Sequence, residues 1–208
     1  MSTGQVSAGL LAFNLAATIR NDGQGGVADG LDSPAKVDAW VLDNADLAGR
    51  LVGELAGALN RFEADAEGVE RIVGVRRAVR SLFAQVVGLE AASKADAQRL
   101  LEPGVAIAQL NDAAKDLRGP LLEWASDGPV PRWEPVEGLA EPIDLLIAAL
   151  GRSGVGFLVG PDRDRLRACP AARCVKYFLQ DDPRQTWCTP TCGNRERVNR
   201  HYRKHTTP

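Results

Sequence analysis

Residues 169–195 read CPAARCVKYFLQDDPRQTWCTPTCGNR, and the cysteines in that stretch, Cys169, Cys174, Cys188 and Cys192, are the only four in the chain. Their spacing is C-x4-C-x13-C-x3-C. Each close pair can supply one edge of a tetrahedron, and the 13 residues between the pairs suffice for a short hairpin that returns the chain to the same ion. Zinc suits four thiolates because it is borderline soft, redox-inert and content with tetrahedral geometry. Four sulfur ligands leave no open position for water or substrate, so the spacing predicts one structural Zn2+ and not a hydrolytic site. Confinement of every thiol to one short stretch argues against a disulfide framework spread through a secreted chain, and for reduced, cytoplasmic thiols.

The histidines His201 and His205 are the only two and follow close behind, which raises a mixed Cys2His2 set as a rival. Helix geometry disfavours it. If Cys192 sits in the first turn of a helix, His201 lies about 13 Å further along the axis at 1.5 Å per residue, too far for one ion. The mixed set would also leave Cys169 and Cys174 without a role.

From Asn194 to His205 the chain has no proline or glycine and can run on from Cys192 as a helix. At about 100° per residue, Val198, Tyr202, Arg195, Asn194 and His205 fall on one side and Arg197, Arg200, Arg203 and Lys204 on the other. The first side is expected to face the metal knuckle, with Asn194 and Arg195 bracing it or touching bases. The second is a basic arc suited to backbone phosphates. Charge follows the same division. From Pro161 onward there are 11 Lys or Arg and 5 Asp or Glu, whereas the preceding 160 residues carry 14 against 22. A basic module on an acidic body is the footprint of a chain that meets a polyanion at one end.

Upstream the pattern is mostly helical. The segment 10–19 is a short apolar strand or helix, and the glycine-rich RNDGQGGVADG of residues 20–30 reads as an irregular loop. Asp32 or Ser33 can cap a helix opened by Pro34, with Val37, Trp40 and Val41 on one face. Residues 51–62 and 69–89 have helical periodicity. Along the latter, Arg71, Arg76, Arg77 and Arg80 form a stripe that reads as a solvated face offset by Glu63, Glu67 and Glu70. Pro103-Gly104 interrupts or ends a further helical element begun near Ser93 and Asp96, and the pattern resumes over 106–117. Two short runs holding Trp124 and Trp133 flank Ser126-Asp127-Gly128-Pro129 and predict a β-hairpin whose tryptophans pack against helices or stack bases. An apolar helix over 139–150 precedes GRSGVGFLVG, where the glycines suggest a hinge. No secretory leader and no apolar run of membrane-span length is apparent.

Taken together, Cys169, Cys174, Phe178, Trp187 and the run Cys188 to Arg195, with its literal Cys-Gly-Asn-Arg at 192–195, resemble the CGNR zinc finger. The segments LLAFNLAATIR (10–20) and LDSPAKVDAW (31–40) resemble the opening of the ABATE domain that accompanies this finger in bacterial proteins. The resemblance implies a stress-induced transcription regulator in which the finger binds DNA and the larger domain senses a small-molecule effector or mediates contacts. It also assigns Gly193, Asn194, Arg195, Trp187 and Phe178 to the motif.

The expected architecture is mainly α with a small β-hairpin (α+β), carrying a C-terminal zinc-binding module of hairpin plus helix. Residues 1–152 form the helical ABATE-like domain, 153–166 a linker and 167–208 the finger. The expected role is DNA binding in transcription control, with Cys169, Cys174, Cys188 and Cys192 on zinc and Arg197, Arg200, Arg203 and Lys204 on phosphate. RNA binding and a redox-responsive zinc-thiolate scaffold are the alternatives, and catalysis has no supporting residues. One basic helix supplies little specificity alone, so a homodimer is expected.

Overall fold

The computed structural model describes residues 9–24, 26–53, 56–93, 95–125, 128–135 and 141–206. Helix α1 (Leu10–Ala16) buries Leu11, Ala12, Leu15 and Ala16. It leads into strands β1 (Ile19–Asn21) and β2 (Val27–Asp29), which pair antiparallel with Ile19 opposite Asp29. The segment expected to be an irregular loop is therefore a hairpin. Its turn is built by side chains: Asp22 Oδ1 accepts from the N–H groups of Gln24 and Gly26, each at 2.8 Å, and Gly23 takes φ 82°.

Helix α2 (Pro34–Asp43) opens on Pro34 after an extended Ser33, as its sequence predicts, but neither Asp32 nor Ser33 caps it through a side chain. Val37 and Val41 are buried and Trp40 packs against the core. The helix expected over 51–62 is instead α3 (Ala45–Val52) and α4 (Ala56–Leu59), because Gly53 at φ 57° ends the first. Helix α5 (Ala66–Val87) is capped by Asp65, whose Oδ1 accepts from Gly68 N–H at 2.7 Å. After a 3-10 turn at Ala97–Arg99, Pro103 occupies the first turn of α6 (Pro103–Ala114), where its missing N–H costs nothing. It begins that helix, the short element before it having already ended at Arg99.

Strands β3 (Leu117–Ala125) and β4 (Gly128–Pro135) form the expected hairpin, with Ala125 opposite Gly128. Ser126 and Asp127, and the side chains of Trp124 and Trp133 on which packing or base stacking would depend, lie outside the described residues.

Helix α7 (Pro142–Val159) is the axis of the fold, packed by α1, α3, α5 and α6. It has the length and apolarity of a membrane span, yet half of it is buried inside the molecule, the mark of a core helix. The expected glycine hinge is absent, because α7 runs through it. Gly151 and Gly154 serve close packing: a Cβ on Gly151 would lie 2.5 Å from Ala114 N, and one on Gly154 would lie 2.7 Å from Leu110 Cδ1. Beside them Phe157 packs against Phe83 at 4.6 Å and Phe13 at 6.0 Å between ring centroids. The stretch expected as a linker, 153–166, comprises the end of α7, α8 (Asp162–Arg165) and the first residue of β5 (Leu166–Ala168). Strand β5 pairs antiparallel with β6 (Tyr177–Leu179), and α9 (Pro190–Thr206) closes the chain.

The arginine stripe on α5 is solvated only in part: Arg77 is exposed and Arg71 half-exposed, but Arg76 and Arg80 are not. Arg76 and Arg80 are each 3% exposed. Arg76 donates to both carboxylate oxygens of Asp29, at 2.6 and 2.5 Å, and to Thr18 Oγ1. Arg80 donates to Asp96 Oδ2 through Nε and Nη2, to Ala16 O through Nη1, and to Val175 O through Nη2. The partners are distant in sequence, so the nearby glutamates suggest a compensation that the fold does not use. Burial of Asp29 pushes its carboxyl up, but the hydrogen bonds from Arg76 and Leu31 N–H outweigh this and hold it below the usual range.

Candidate metal centre and nucleic-acid interface

Two knuckles bring the cysteines together. In the first, Cys174 N–H donates to Ala171 O at 2.9 Å and Cys169 N–H to Lys176 O at 3.0 Å, folding the chain back onto β6. The four-residue spacer is accommodated by Arg173, a non-glycine residue at φ 64°. In the second, Thr189 precedes α9 and acts as its cap: its Oγ1 accepts from Cys192 N–H at 3.3 Å, and its carbonyl accepts from Gly193 N–H. Pro190 occupies the first helical position, leaving Cys192 in the first turn beside Cys188.

The four Sγ atoms lie within 4.8 Å of one another. Cys188 to Cys192 is 3.5 Å, Cys174 to Cys188 is 3.8 Å and Cys174 to Cys192 is 3.9 Å. A zinc–sulfur bond of about 2.3 Å at tetrahedral geometry places sulfurs about 3.8 Å apart, so the cage has the right size. The separations are far longer than the roughly 2.05 Å of a disulfide, and all four cysteines are free thiols.

Electrostatics makes the same demand for a cation. Hydrogen bonds from the thiols of Cys174 and Cys188 draw the Cys169 thiol well below its ordinary value, while that contact with Cys169 pushes Cys174 and Cys188 up. Four thiolates held this close repel one another, and a bound cation offsets that repulsion. Arg195 Nη2 stands 3.8 Å from Cys192 Sγ and adds a positive group beside the cage. A small apolar cluster surrounds the sulfurs, with Ala171 and Phe178 buried and Trp187 packed against them. Gly193 belongs to it, since a Cβ there would lie 2.9 Å from Trp187 Cδ1.

The orientation of α9 departs from the helical-wheel expectation. Val198 and Tyr202 are 52% and 65% exposed, and Asn194 and Arg195 are exposed too. The side that meets the knuckle carries Cys192, Gly193, Glu196 and Asn199. Glu196, which no sequence pattern singles out, accepts from Ala172 N–H at 2.7 Å and from Asn199 Nδ2 at 3.3 Å, tying α9 to the first knuckle. In a module this small the metal ligands and the Gly193–Trp187 contact set the rotation of the helix, and its few apolar residues do not. Of the motif residues, Gly193, Trp187 and Phe178 are structural. Asn194 does not face the knuckle, and Arg195 reaches it only through its guanidinium.

Arg197 and Arg200 are exposed on α9. Arg203 and Lys204 lie one turn further along the same helix; their side chains are outside those described, as are those of His201 and His205. The helix is held against the body through the finger's first knuckle. Tyr177 packs edge-on to Phe83 at 5.6 Å, Arg80 lies 5.1 Å from the centre of its ring, and Asn21 Nδ2 donates to Arg173 O at 2.6 Å. Burial pushes the Tyr177 phenol up to about 12, against the lowering influence of the Arg80 charge.

Family comparisons agree with this division. A model described as the CGNR zinc finger matches residues 165–205, and one for the ABATE family, described as "Putative stress-induced transcription regulator", matches residues 9–161. No curated protein shows significant similarity to the chain.

Proposed function

The chain belongs to the ABATE family and carries a CGNR zinc finger, and on that premise we propose that it is a zinc-dependent DNA-binding regulator of transcription. One Zn2+ per chain, held by Cys169, Cys174, Cys188 and Cys192, supplies the charge that lets four thiolates share one cage. Its role is structural, since the ligand set is closed, and the chain works by binding and not by catalysis. The observation that carries the reading is the exposure of Arg197 and Arg200 on α9, a helix anchored to the sulfur cage through Cys192 in its first turn. Arg203 and Lys204 continue the arc, and the excess of 11 basic over 5 acidic residues beyond Pro161 gives this end the charge to attract phosphates. Asn194 and Arg195, being exposed, are available to nucleic acid as well as to the fold. The thiol-rich site suits the cytoplasm, and a stress role follows from the family description.

Replacing Arg197 and Arg200 by Ala should lower the slope of log binding constant against log salt on duplex DNA by about 0.9 for each phosphate no longer neutralised. The same titration against duplex RNA at matched salt tests the competing partner: preference for RNA would point to contacts with 2′-hydroxyls. An unchanged slope would remove the basic arc from the mechanism.

A further inference from the structure

A cavity of about 350 Å³ opens between α5, the β1–β2 hairpin and the turn at Ala97–Arg99. That volume is within the range of small-molecule sites, roughly 300–1,000 Å³. Ile19, Val73 and Leu100 give it apolar walls, with Ile19 buried and the other two half-buried.

The polar groups of the cavity are not balanced. Arg76 and Arg80 are neutralised by Asp29 and Asp96. Arg77 and Arg99, also in the lining, form no salt bridge among the described residues, although the charge of Arg99 acts at longer range on Asp29. Arg77 Nε donates to Arg99 O at 2.7 Å and Arg99 Nη1 to Ala95 O at 3.3 Å, and each guanidinium keeps further N–H groups for an acceptor. Asp96 also lines the cavity; it is 3% exposed, with its Oδ2 held by Arg80.

We propose that this cavity binds a small organic anion. Its carboxylate or phosphate engages Arg77 and Arg99, and its apolar body lies against Ile19, Val73 and Leu100. The arginine pair supplies the planar, forked donors that recognise either anion. The proposal stands whether or not the chain binds DNA, because it concerns the large domain alone.

The experiment is calorimetric titration of the zinc-loaded full chain with 4-hydroxybenzoate, phenyl phosphate, phenol and benzylamine. At least one of the two anions should bind at millimolar concentration or below. The tighter of them assigns the anionic group. Phenol, which keeps ring and hydroxyl without charge, should bind at least about tenfold more weakly, and benzylamine should not compete. The double variant Arg77→Ala, Arg99→Ala changes exposed side chains, so its melting temperature should be close to wild type while anion binding falls at least about tenfold. Val73→Phe, which fills the cavity, should also abolish binding. Absence of binding by both anions, equal binding of phenol, or full retention of binding in the double variant would each overturn the proposal.

Discussion

The helical body surrounds α7 with buried aliphatic side chains and the Phe13–Phe83–Phe157 cluster, whereas the finger's own interior is little more than Cys169, Ala171, Cys174 and Phe178 with Trp187 at its edge. The first is stabilised by apolar burial spread over many side chains. The second is too small for that and depends on its sulfur cage. Between them runs a seam of a third kind, in which finger residues Leu166 and Tyr177 join the body's core while Arg80 donates to the finger's Val175 carbonyl. On the proposed reading, the contrast sets a finger that needs its metal on a platform held by apolar burial, with a few buried polar groups joining the two.

Metal removal should break the comparison most sharply. Structural zinc contributes about 10–16 kcal/mol to the folding of finger peptides. Chelation, or Cys188→Ser, should therefore erase hydrogen-exchange protection over residues 169–200 while α5 and α7 stay protected. Equal loss in both regions would mean that the body also depends on the metal, and no loss in either would mean that the finger does not.

Next in size is the seam. Arg80→Ala strips donors from Asp96, Ala16 O and Val175 O and leaves the Asp96 carboxylate buried without its partner. Breaking a buried pair in this way costs about 3–5 kcal/mol, to be read as a lower urea midpoint with the zinc still bound.

Smaller, and confined to alkaline solution, is the contribution of Tyr177. Its folded pKa of about 12 lies above the ordinary 10.0. The stabilisation is fully present below pH 10, where the phenol is neutral in both states, and is lost as pH rises toward 12 because the unfolded chain ionises first. Two units correspond to about 3 kcal/mol at most. Tyr177→Phe should flatten that part of the stability profile, as measured by denaturant unfolding.

What is legible in the sequence divides along the same lines. Metal-ligand spacing is local, so the cage can be read from Cys169, Cys174, Cys188 and Cys192, and Pro34 and the Gly128 hairpin are equally local signals. The features that a local reading misses all depend on partners remote in the chain. Arg76 and Arg80 look solvated in sequence because Asp29 and Asp96 lie outside their own helix. Gly151 and Gly154 resemble a hinge because α6, which they pack against, is invisible to a local pattern. The rotation of α9 eludes a helical wheel because the wheel turns Val198 and Tyr202 inward, whereas Gly193 against Trp187 and Glu196 on Ala172 decide it.

The central claim is that the metal centre builds the surface that meets DNA, and titration of one duplex with the zinc-loaded, chelated and zinc-restored chain tests it most directly. The account predicts binding that weakens steeply with salt, vanishes on chelation and returns with zinc. Equal binding by the chelated chain, or binding by the zinc-loaded chain that ignores salt, would contradict it.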